Sequence, residues 1–196
     1  MIRTIVAVLT GALLLGGILG VLRSTPDVEE KYAPIATSGE MGEQVDTTAF
    51  QLRVDRLQLG RSVRLEDAFG FLGEPRTTAG IWVVVWATVA ATTEETLVRG
   101  ARLRTADGME YLASSLIGTL DKVPLQPGIP AYGPILFELP PDRLTGATLH
   151  VTVHSPIEGD YLGPAADVDL RLSAPYTKKL IEQAPPTLVV GPVREL

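Results

Sequence analysis

From Gln44 onward, apolar and polar residues alternate in short runs, the period-two signature of strands with one buried face. In AFQLRVDRL, Phe50, Leu52 and Val54 alternate with Gln51, Arg53 and Asp55. ARLRTADGMEYLA sets Asp107-Gly108 between two extended runs, a strong hairpin signal. A two-residue loop there would pair Leu103 with Leu112 and Arg104 with Tyr111. ILFEL (135–139) alternates and is stopped by Pro140-Pro141, LHVTVH (149–154) alternates with Leu149, Val151 and Val153 inward, and VDLRL (168–172) closes the series.

One run breaks the alternation. GIWVVVWATVAAT carries one hydroxyl, on Thr88, and no charge between Ile81 and Ala91. It is too short for a membrane helix, which needs about 20 apolar residues, and its β-branched and aromatic side chains suit a strand. Ile81, Val83, Val85, Ala87 and Val89 form one face, the one expected against the opposite sheet. Trp82, Val84 and Trp86 form the other. The connection Arg61–Gly80, with Phe69, Phe71 and Leu72, is apolar enough to cover that second face. Incomplete cover would make Trp82, Val84 and Trp86 a candidate partner surface.

A different pattern opens the chain. Ile5 to Leu22 holds 18 residues without a charge, a helix of roughly 27 Å, close to the hydrocarbon thickness of a bilayer. The stretch is longer than a signal-peptide core and ends in Val21-Leu22-Arg23, a poor cleavage context, which favours a retained anchor. Arg3 and the terminal amine ahead of it set the expected orientation with the C-terminal part outside. Gly16 and Gly20 form a small-xxx-small pair through which two such helices could pack as a homodimer. The expected organisation is a transmembrane helix over 1–23, a flexible linker over 24–43, a β-sandwich over 44–173 and a tail over 174–196 with a helical turn and a short LVV strand. The linker reaches on the order of 25 Å. Short strands punctuated by 19 Gly and 15 Pro indicate an antiparallel sandwich or barrel.

Composition narrows the function more than it defines it. Cysteine is absent, which removes disulfides, thiolate metal sites, thiol catalysis and lipid attachment at a cysteine. The net charge of −6 and the scattered 17 Lys and Arg argue against nucleic acid. Of the two histidines, His150 and His154 share a strand face about 13 Å apart, too far to ligate one metal; both are expected exposed. Glu158, Asp160, Asp167 and Asp169 match no EF-hand loop. No nucleophile elbow or phosphate-binding glycine motif is present. No cofactor, metal or catalytic residue is expected.

The succession GIWVVVW, ATV, LRTADGMEY, LQPGIP and ILFELP resembles an immunoglobulin-like domain of unknown function found in lipoproteins and anchored proteins of Gram-positive and actinobacterial cells. That family carries the historical label telomeric-repeat-binding-factor-2-like, which implies no DNA role, and shares its sandwich with a secreted mycobacterial immunoprotective antigen. The similarity covers roughly Gln44 to Ser173, and its most specific pieces are Asp107-Gly108 with Tyr111, Pro127-Gly128, and Phe137 with Pro140. This chain departs from the family at Trp86, where a polar or charged residue is usual, and at Ala91, where Asn is frequent. The resemblance implies an immunoglobulin-like antiparallel β-sandwich outside the cell and transfers no active-site residues. The expected function is a membrane-anchored extracytoplasmic binding module with a protein partner in the envelope, as in an accessory subunit of an envelope complex. The alternatives are a cleaved, secreted sandwich, and a hydrolase-like enzyme using His150 and His154 with the acids of 158–169.

Overall fold

The computed structural model describes residues 2–24, 33–98, 100–116, 118–153 and 162–196; within the first of these segments the described side chains are Thr10, Gly11, Leu13 to Val21 and Arg23. The chain divides into two compact units between Ala33 and Pro34. The first contains helix α1 (Ile2–Ser24), which has no polar stripe. Among the described residues no helix is long and apolar enough to cross a membrane, so the bilayer span expected over Ile5–Leu22 is not shown.

In the second unit the elements are β1 (Ile35–Glu40), β2 (Gln44–Asp46), β3 (Phe50–Leu65), β4 (Arg76–Ala91), β5 (Thr96–Leu97), β6 (Gly100–Arg104), β7 (Glu110–Leu112), β8 (Pro124–Leu125), β9 (Ala131–Leu139), β10 (Thr148–Thr152), β11 (Pro164–Asp169), α2 (Ala174–Glu182), β12 (Leu188–Val190) and β13 (Arg194–Glu195). Two sheets face each other. One runs β1-β11-β10-β6-β7 and the other β12-β3-β4-β9-β13, with β2 paired to β3. Phe50, Val83, Val85 and Phe137 from the second sheet meet Leu103, Leu149, Val151 and Val168 from the first in one buried core. The fold is a β-sandwich.

The expected strands are present, with instructive differences. β3 carries a bulge at Asp55, between Val54/Ala87 and Arg56/Trp86. An extra residue inverts the alternation, so Phe50, Leu52 and Val54 face the core before the bulge and Leu57 and Leu59 after it. The Asp55 carboxylate accepts from Arg53 Nε at 2.6 Å and Thr88 Oγ1 at 2.7 Å. The hairpin turns at Asp107-Gly108, but Leu103 pairs with Tyr111 and Arg104 with Glu110, one residue off the expected register. Thr105 and Met109 close a three-residue loop whose Gly108 has φ +83°, a type I turn followed by a left-handed residue.

The sandwich is not wholly antiparallel. β1 runs parallel to β11 and β12 parallel to β3. Each pair is separated by more than a hundred residues of chain, so the long crossover that parallel pairing requires is already present. Two expected boundaries therefore move. Ile35–Glu40, assigned to the linker, is an edge strand, and the tail 174–196 belongs to the domain through α2, β12 and β13. β11 ends at Asp169 rather than continuing to Leu172; Arg171 turns to φ +54°, while Leu170 and Leu172 remain buried.

Candidate interaction surfaces

Pairing with β3 and β9 places Trp82, Val84 and Trp86 on the outer face of the larger sheet. They are buried: 5% of Trp82, none of Val84 and 5% of Trp86 is exposed. This corrects the expectation of an open partner surface, because the chain covers the face itself. Val63, Leu136 and Val190 complete a second buried cluster there, with Leu65, Leu116, Tyr132 and Leu188 packed at its margin. Beyond Gly60 the pairing of β3 shifts, and this stretch of the Arg61–Gly80 connection supplies Val63 and Leu65. Phe69, Phe71 and Leu72, the expected lid, are exposed instead.

The remaining cover is the C-terminal segment, which acts as a strap. β12 pairs with one edge of the sheet and β13 with the other. Between them Gly191 lies beside Trp86, and Val193 takes the space that a Cβ on Gly133 would occupy, 2.6 Å from its Cγ2. Polar atoms under the strap are satisfied, as buried indoles require. Trp82 Nε1 donates to the Arg76 carbonyl at 2.9 Å and Trp86 Nε1 to Gln58 Oε1 at 2.7 Å. Trp86 stacks on Tyr132 at 5.5 Å between centroids, with the Arg56 guanidinium 4.6 Å over Trp86 and that of Arg194 5.0 Å over Tyr132.

The outer face of the smaller sheet is polar and partly closed. His150 is buried, not exposed as alternation suggested, because its cross-strand neighbours Asp167 and Arg102 flank it. His150 Nδ1 and Asp167 Oδ1 are 2.6 Å apart, and Arg104 lies 3.9 Å from the other Asp167 oxygen. Arg104 also contacts Glu110 at 3.1 Å, and Arg102 contacts it at 3.4 Å. Burial raises the Asp167 pKa, but the hydrogen bond and charge of His150 and the charge of Arg104 outweigh it and hold the carboxyl below its usual value. Asp169 instead accepts from the Arg171 amide at 2.7 Å. His154, Glu158 and Asp160 lie outside the described residues, as does most of the loop that would join them to His150. Among the described residues no three His or acidic side chains gather as a metal site.

A depressed carboxylate pKa contributes stability that is complete above its unfolded value, about 3.9, and is lost as pH falls through the folded value. Asp167→Asn should therefore lower stability by about 1–2 kcal/mol at neutral pH, with the difference from the parent closing below about pH 4. Urea midpoints across pH check this; a difference that widens in acid would refute the pairing.

Gly16 and Gly20 lie in α1, where a Cβ added to either would meet no atom within 4 Å. Sequence reasoning missed the exposed tip around Phe69 and Phe71. The signal was available in AFGFLG, where two phenylalanines flank a glycine that takes φ +85°.

No family model matches the chain, and no curated protein matches it. Among solved structures it is similar to an uncharacterised β-sandwich protein of Clostridium difficile 630, at 12% identity and TM-score 0.47, over 74% of this chain and 99% of that one. It is also similar to MPT63, a secreted protein of Mycobacterium tuberculosis, at 18% identity and TM-score 0.47, over 68% of this chain and 97% of that one.

Proposed function

We propose that the protein is a membrane-anchored module whose immunoglobulin-like sandwich stands on the outer side of the cytoplasmic membrane and acts by binding an envelope protein rather than by catalysis. The observation that carries the reading is the character of α1. A helix apolar on every side is either a core helix or a membrane span. Leu13, Leu14, Leu15, Ile18, Leu19 and Val21 of α1 are all exposed, apolar surface that a bilayer would take up. Gly16 and Gly20 present a flat site for a second copy. Binding is favoured over catalysis because His150 is buried against Asp167 on its own sheet face, closed to a substrate.

Fractionation tests the anchor. The chain should remain in the membrane pellet through alkaline carbonate, and protease added to cells stripped of their wall should digest the β-sandwich. Release into the medium without Met1–Arg23 would favour the cleaved, secreted form. Protection from external protease would refute the orientation.

A further inference from the structure

We infer that the β3–β4 tip is a second membrane contact, a preformed wedge whose Phe69 and Phe71 rings enter the interfacial region of a phospholipid bilayer. Phe69 is 87% exposed, Phe71 72% and Leu72 44%, all within one turn. Three neighbouring apolar side chains on a convex tip form a concentrated feature, unlike scattered surface leucines.

The backbone of the tip fits a bilayer as the occupant. Asp67 Oδ1 accepts from the amides of Phe69 and Phe71, both at 2.9 Å. The Asp67 amide donates to the Phe71 carbonyl, the Gly70 amide to the Asp67 carbonyl, and the Gly73 amide to the Leu65 carbonyl. These donors are satisfied inside the loop. A segment entering hydrocarbon must satisfy its amides internally, whereas a loop shaped to hydrogen-bond a protein partner keeps donors available. Neither ring carries a polar atom, so the complement makes no hydrogen-bond demand.

The charges behind the tip fit phosphate headgroups. Arg61, Arg64 and Arg76 stand on the two strands at its base; Arg64 Nε donates to the Gly73 carbonyl at 2.9 Å, and guanidinium groups pair well with phosphate oxygens. Glu66, Asp67 and Glu74 balance them in number, and one oxygen of Asp67 is already engaged by the loop amides. The balance fits a surface of zwitterionic lipid and does not require an anionic one. The inference rests on the anchoring reading only for the bilayer being close at hand.

The absence of cysteine provides the test. Ala68→Cys on the tip and Met109→Cys on the β6–β7 hairpin each give the full chain one site for a fluorophore. The labelled chains are reconstituted into phosphatidylcholine vesicles carrying nitroxide on the acyl chains. Quenching is expected at position 68 and absent at 109, and it should be lost when Phe69→Ser and Phe71→Ser are combined with the tip label. A tip label that stays unquenched and open to aqueous iodide overturns the inference. So does one shielded only when envelope proteins are added, since a protein then occupies the tip. Flotation of the same vesicles reads α1 separately. Protein that floats with an unquenched tip defeats the wedge alone, and protein that fails to float defeats the anchor.

Discussion

A chain ending at Thr187 should lose about 4–6 kcal/mol of stability, because it gives up the buried Val190 and the packing of Leu188 and Val193 at roughly 1.5–3 kcal/mol for each fully buried aliphatic side chain. Stability of a domain this size is commonly about 5–15 kcal/mol, so the loss is a large fraction of the whole. Both tryptophans of the chain lie under the strap, which makes intrinsic fluorescence a direct readout. The full chain should resist iodide quenching. The shortened chain should show red-shifted emission, strong quenching, a lower urea midpoint and a tendency to self-associate through the uncovered face. Unchanged emission and midpoint would show that the strap is not what covers the face.

Gly80→Ala is the second large effect, expected at about 3 kcal/mol. Gly80 sits where β9 ends and the chain turns into Pro140. An added Cβ would come within 2.9 Å of the Leu139 carbonyl carbon and closer still to its oxygen. These are backbone atoms of β9, held where Leu139 pairs with Ile81 of β4, so neither can swing away as a side-chain end would. Gly73→Ala is the control, since its Cβ would meet the Leu65 carbonyl oxygen at 3.4 Å, and its effect should stay within about 0.5 kcal/mol. Urea midpoints of the two variants decide the matter. Equal values would remove the explanation for glycine at position 80.

Those glycines show where sequence reading stops. Strands that bury one face write their burial into the chain, as at Phe50, Leu52 and Val54, and they were legible. β1 was not, because as an edge strand it exposes Ile35, Ala36, Thr37 and Ser38, leaving no alternation to read. Its partner β11 also lies far along the sequence. His150 misled for the converse reason. Alternation placed it on the polar face, while its burial depends on Asp167 and Arg102 arriving from two other strands. The hairpin was found at the right dipeptide, yet Gly108 in a left-handed conformation lengthened the loop and moved every pair by one. The valine strand raised the question of its second cover, and the answer lay in LVVGPVREL, more than a hundred residues downstream, which no local periodicity connects to Trp86.

The direction of β1 has a mechanical consequence. Its first residue, Ile35, follows the segment leading from α1, and its amide is bonded to the Gly163 carbonyl at 2.8 Å. From there six residues run in register beside β11. Tension arriving through that segment, and resisted at the far end of the sandwich, would act along the strand and load the whole ladder in shear. It would not peel the bonds open one by one. A strand loaded in this way meets a pull on the chain ahead of it with all of its hydrogen bonds at once.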